Sequence, residues 1–193
     1  PEVRQEMNRI GALALLNGMY LKAPNGADSN LTHEQWLLVR TESFKKWFGN
    51  WENDPENASK VVDENGEPKV VYHGSAAVGI TKFDKSRIRA GETDADYNGF
   101  WFSTDEDTLP AWVHKNARYD VFLNLRNPIS RQEADRIAKE VLRSGKEYSE
   151  ARSLADATRY ELQERGYDGV LFDKHPTIDF NQLNETGYTE FVI

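Results

Sequence analysis

Cysteine is absent from the 193 residues, which excludes disulfides, thiolate metal sites and a cysteine nucleophile. That fits a reducing compartment. Also missing is any run approaching the roughly 18 apolar residues of a membrane span. No charged-then-apolar leader stands at the start. The chain opens on Pro1, so excision from a longer protein is expected. Apolar residues make up only 38%, short of the usual share in a globular chain. Positive charge is also scarce, with 24 Lys and Arg against 32 Asp and Glu for a formal charge of −8. The surface as a whole therefore lacks the electrostatic footprint of a nucleic-acid binder, and a protein is favoured over a nucleic acid as macromolecular partner. What the chain does have is aromatic bulk, with five Trp, eight Tyr and nine Phe, enough to fill a core and supply stacking faces. The length suits one domain with an extra lobe.

Periodicity divides the chain in two. Residues 4–18 read as a helix with Ile10, Leu13, Ala14 and Leu16 on one stripe, ended by turn chemistry from Lys22 to Asn30. Thr32 and Gln35 form a capping box ahead of Trp36, Leu37 and Val39. Thr41 caps a further helix carrying Phe44, Trp47 and Phe48, stopped at Gly49. Residues 1–58 thus form a helical lobe. From residue 59 onward short strands dominate. A hairpin is expected from Lys60 to Tyr72 around the turn at residues 63–67. Strands follow at Phe100–Thr104, Tyr119–Leu125, Tyr167–Phe172 and Tyr188–Ile193. Acids at 105–107 suit a helix N-terminus, and residues 131–165 carry a helical segment broken at Gly145. The class is α+β.

Three strands hold residues with chemistry to offer. Tyr72-His73-Gly74-Ser75 closes the apolar strand of Val70 and Val71. Gly99-Phe100-Trp101-Phe102 follows, and Glu190 lies inside the terminal strand. Breaking an N-glycosidic bond builds positive charge on the sugar ring, as in glycoside hydrolysis. A fixed carboxylate stabilises that charge, and a planar leaving base takes aromatic faces and backbone hydrogen bonds. A histidine can hold a second hydroxyl. Glu190, Trp101 with Trp112, and His73 with the Gly74 backbone fit those needs in turn. Taken singly, each has a plainer reading. His73 is then a strand-end histidine satisfied by backbone, Glu190 a solvated strand residue, and the tryptophans core. Their order along the chain carries the functional reading. In the polar loop of residues 84–98, Arg87 and Arg89 either clamp a pyrophosphate or belong to a solvated surface offset by Glu92, Asp94 and Asp96. Asp168 reads as a turn residue. His114 and His175 read as exposed, and no spacing indicates a metal site.

The three segments, Tyr72-His73-Gly74-Ser75, Gly99-Phe100-Trp101-Phe102 and Glu190-Phe191-Val192-Ile193, resemble the ADP-ribosyltransferase fold. The branch is the His-Tyr-Glu one of diphtheria toxin and the poly(ADP-ribose) polymerases. More closely, the chain resembles the ADP-ribosyltransferase domains of polyvalent proteins of phages and mobile elements. That similarity extends to residues 40–51, to residues 61–68 and to residues 166–170. The resemblance implies a split antiparallel β core with flanking helices over residues 59–193, behind the N-terminal lobe. It also implies NAD as substrate, no metal, and an unidentified macromolecular acceptor. His73 would hold a ribose hydroxyl of NAD, Gly74 would clamp the nicotinamide amide through its backbone, and Ser75 would hydrogen-bond beside it. Glu190 would polarise the nicotinamide ribose, with Trp101 and Trp112 stacking on the base. Trp101 stands where that branch has tyrosine, which keeps stacking but loses a phenol hydroxyl. The arginine-directed branch is rejected, because this chain has His73 and Tyr188 where it needs arginine and a second glutamate. An NAD glycohydrolase and an inactive NAD- or target-binding module stay open; a phosphotransferase acting on RNA fits the charge poorly. A toxin- or effector-like domain of a larger protein, acting in its own cytoplasm or delivered into that of a host or target cell, is the expected setting, with no membrane partner.

Overall fold

The computed structural model describes residues 1–84, 99–109, 117–176 and 187–192. The chain divides into two compact units, one of residues 1–70 with 122–126, the other of residues 71–121 with 127–193.

The first unit is helical. Helix α1 (Glu2–Leu16) starts and ends two residues ahead of the expected 4–18, whereas α2 (His33–Leu38) and α3 (Glu42–Phe48) start directly after the caps read from the sequence, Thr32 and Thr41. The Thr32–Gln35 capping box is fully formed, and the Thr41 side chain accepts from the Phe44 amide. Trp36, Leu37, Val39, Phe44, Phe48 and Trp51 form the core. Phe44 stacks on Phe48 at 5.2 Å and meets Phe122 edge-on at 5.2 Å. Arg40 and Glu67 are buried together, their groups 2.8 Å apart. Arg40 is further held by the carbonyls of Trp36 and Lys22 and by the Trp36 ring face, 3.9 Å from its guanidinium carbon. A buried ion pair persists when its remaining donors and acceptors are satisfied in this way.

Two expectations change here. The hairpin of residues 60–72 is reduced to a turn with one bridge, Val62 to Pro68. The compact unit also runs past residue 58 to Val70. Ser59 Oγ donates to the Leu123 carbonyl at 2.7 Å and accepts from the Leu125 amide at 3.1 Å. Lys60 N–H adds a bond to the Leu125 carbonyl at 2.7 Å. The backbone of residues 122–125 is thereby spent in the first unit, so the strand expected over Tyr119–Leu125 stops at Val121.

Among the described residues the second unit is a six-stranded sheet with two α-helices. Its strands are β1 (Val71–Gly74), β2 (Trp101–Ser103), β3 (Arg118–Val121), β4 (Pro128–Ser130), β5 (Gly169–Pro176) and β6 (Gly187–Val192). Their order is β3-β1-β2-β6-β5-β4. Every adjacent pair is antiparallel except β4 with β5. This is the expected α+β class with an antiparallel core, and β4 is a strand the sequence reading did not contain. Helix α4 (Arg131–Ser144) places Ala134, Ile137 and Val141 on one face and ends at Gly145 in the left-handed region, as read from sequence. Helix α5 (Leu154–Glu164) adds Leu162, and both pack with Ile129, Val170 and Phe172. The acids at 105–107 open only a single helical turn, Glu106–Thr108. Asp168 lies between the turn at residues 165–166 and the start of β5, its carboxylate accepting from the Asn127 amide at 3.1 Å.

Candidate active site

His73 lies on β1 between β2 and β3, with Tyr119 as its Cα partner on β3. Its Nδ1 is 2.8 Å from the Trp101 carbonyl oxygen. A carbonyl only accepts, so Nδ1 carries the proton and the neutral ring keeps an acceptor lone pair on Nε2. Burial lowers the His73 pKa, outweighing the opposite pull of that carbonyl. At neutral pH the ring is therefore uncharged.

Aromatic rings surround it. Phe83 stands edge-on at 5.0 Å, Phe102 lies at 5.3 Å and Phe100 at 6.2 Å. His73, Ser75, Phe83 and Phe100 line a cleft of about 720 Å³ together with the segment 76–82 and Asp84. That volume is within the range of small-molecule sites. Ser75 follows the strand end. Its amide donates to the Ala117 carbonyl at 2.9 Å, and its hydroxyl accepts from the Ala77 amide at 3.0 Å. Gly74 ends β1 opposite Arg118.

Trp101 is placed differently from its neighbours. Successive strand residues point to opposite faces. Phe102 turns to His73, whereas the Trp101 ring packs on Phe172 at 5.0 Å beside the core of this unit. What Trp101 brings to His73 is its backbone carbonyl. Among the described residues the aromatic faces in the cleft come from Phe83 and Phe100. Neither was given a role from the sequence, although Phe100 immediately precedes β2, the strand that carries Trp101.

Glu190 lies on β6, with Ser103 of β2 and Phe172 of β5 as Cα partners. Strand β2 therefore separates the strand of His73 from the strand of Glu190. Arg87, Arg89, Trp112 and His114 fall outside the described residues. His175 lies on β5 opposite Tyr188. Among the described residues no group of three or more acidic or histidine side chains is arranged to hold a metal ion. Nor is any helix among them long and apolar enough to cross a membrane.

Tyr119 also escaped the sequence reading, which used it only as the start of a strand. Its hydroxyl donates to the Ala77 carbonyl and accepts from the Ile80 amide, both in the segment that lines the cleft.

The family model described as ADP-ribosyltransferase in polyvalent proteins matches residues 63–193. No curated protein and no solved structure matches the chain.

Proposed function

The chain belongs to the ADP-ribosyltransferases of polyvalent proteins, and from that premise we propose that it transfers ADP-ribose from NAD to an acceptor with release of nicotinamide. The observation that carries this reading is the neutral His73 at the head of a cleft of about 720 Å³, inside the segment that the family model spans. NAD is the substrate of the family. Its flat nicotinamide and its ribose hydroxyls suit a cleft lined by Phe83, Phe100 and an imidazole with an acceptor lone pair on Nε2.

In the proposed reaction the bond between ribose C1′ and the nicotinamide nitrogen breaks, and nicotinamide leaves with its electron pair. Positive charge develops on the ribose ring and is offset by the Glu190 carboxylate. A lone pair of the acceptor then bonds to C1′, and the acceptor gives up its proton. His73 holds a ribose hydroxyl through Nε2, and the Gly74 backbone with Ser75 binds the nicotinamide amide. Phe83 and Phe100 take the stacking role that the sequence offered to Trp101. The acceptor is a macromolecule, and the chain works as one domain of a polyvalent protein.

Nicotinamide release from NAD tests the reading, measured for the chain and for Glu190→Gln. Loss of release by about two orders of magnitude or more in the variant, with NAD still bound, is expected. Equal release by both would remove Glu190 from the mechanism. Free ADP-ribose with no labelled macromolecule would make the activity that of a glycohydrolase.

A further inference from the structure

We propose that Tyr119 is a positioning residue that holds one wall of the His73 cleft in its ligand-binding shape, an inference that rests on the NAD reading above. Its hydroxyl makes two bonds to a single loop, donating to the Ala77 carbonyl at 2.9 Å and accepting from the Ile80 amide at 3.0 Å. Both groups belong to residues that line the cleft, and Ala76, Ala77, Val78 and Gly79 between β1 and Ile80 are exposed. Three of those four carry at most a methyl group. What such a wall presents to a ligand is largely backbone.

Backbone groups recognise a ligand only when the loop carrying them is already held in one conformation. Otherwise the entropy of ordering it is subtracted from affinity. The short side chains cannot supply that order by packing, so it comes from hydrogen bonds. The Ser75 hydroxyl ties the start of the loop to the Ala77 amide. Tyr119 ties its middle to the sheet.

The ring of Tyr119 is fixed independently of its hydroxyl. It lies opposite His73 in the β1–β3 register, with its centre 6.4 Å from the imidazole and 6.2 Å from Phe83. One side chain thus connects the loop wall to the strand pair that carries His73. Removing only the oxygen separates the two functions, because Tyr119→Phe keeps the ring contacts.

The test compares the chain with Tyr119→Phe. The dissociation constant for NAD is expected to rise about five- to tenfold, the loss of one or two net hydrogen bonds. Nicotinamide release at saturating NAD should stay within about twofold, since the reacting groups are untouched. In the unliganded variant the Ile80 amide should exchange faster with solvent, a local change that a merely structural role of the ring would not produce. Unchanged exchange, or faster exchange with unchanged NAD affinity, overturns the inference while leaving the functional reading intact. Failure of the unsubstituted chain to bind NAD overturns the functional reading and this inference with it.

Discussion

At the scale of single residues, chemistry follows from which face of a strand a side chain takes. His73 and Trp101 meet, but through an imidazole nitrogen and a main-chain oxygen. The protonation state of His73 then has a sign that can be worked out. Its pKa is lowered by burial, so the neutral ring persists below the usual imidazole value near 6.5. As pH falls through the lowered pKa, Nε2 gains a proton and can no longer accept from a hydroxyl. NAD affinity should decline there, and so should stability, because the unfolded chain takes up its proton first. An NMR titration of the four histidines should show one with a midpoint below 6.5 and the proton on Nδ1. A His73 midpoint at or above 6.5 would contradict the assignment. Trp101 gives the complementary prediction. Its ring packs against Phe172 and the core, so Trp101→Ala should cost about 2–4 kcal/mol of stability, and Trp101→Phe about 1. Urea denaturation measures both; equal midpoints for Trp101→Ala and the unsubstituted chain would place that ring outside the core. The tryptophan itself was conspicuous in the sequence. Its direction was not, because a strand of three residues has too little alternation to say which face is buried.

Elements were legible to the extent that their signals are local. The caps at Thr32 and Thr41, the stop at Gly49 and the break at Gly145 all depend on neighbours within a few residues, and all four stand. Gly49 has φ +103°, and a Cβ there would lie 2.4 Å from the Ala58 Cα. Gly49→Ala should therefore destabilise by about 2–4 kcal/mol, combining an unfavourable φ with a backbone clash. Its denaturation midpoint against that of the unsubstituted chain decides the matter, and a shift below 1 kcal/mol would mean that the turn adapts freely. The misplaced elements are those whose partners are remote in sequence. The strand at 119–125 ends at Val121 because Ser59 and Lys60 take up the following backbone. The three-residue strand β4 exists only because β5 lies parallel beside it, and no local pattern announces such an edge.

Across the whole molecule, two compact units share one chain, and the first reclaims residues 122–126 after the second has begun. The match to the ADP-ribosyltransferase family spans residues 63–193 and so begins within the first unit. Burial of the Arg40–Glu67 pair in that unit joins the end of α2 to the turn at residues 63–67, a pairing across 27 residues that no local pattern predicts. The amino-acid sequence by itself determined the α+β class, the caps at Thr32 and Thr41, the helix stops at Gly49 and Gly145, the absence of thiol chemistry and the family. Each of these depends on composition, on short-range periodicity or on residues kept in order along the chain. Only the tertiary structure decided that β2 runs between the strands of His73 and Glu190, that Trp101 turns to the core while Phe83 and Phe100 face the cleft, and that Tyr119 bonds the loop beside it. Strand order and facing are set by pairings between segments far apart in the chain, and these form only when the apolar faces of both partners are buried together.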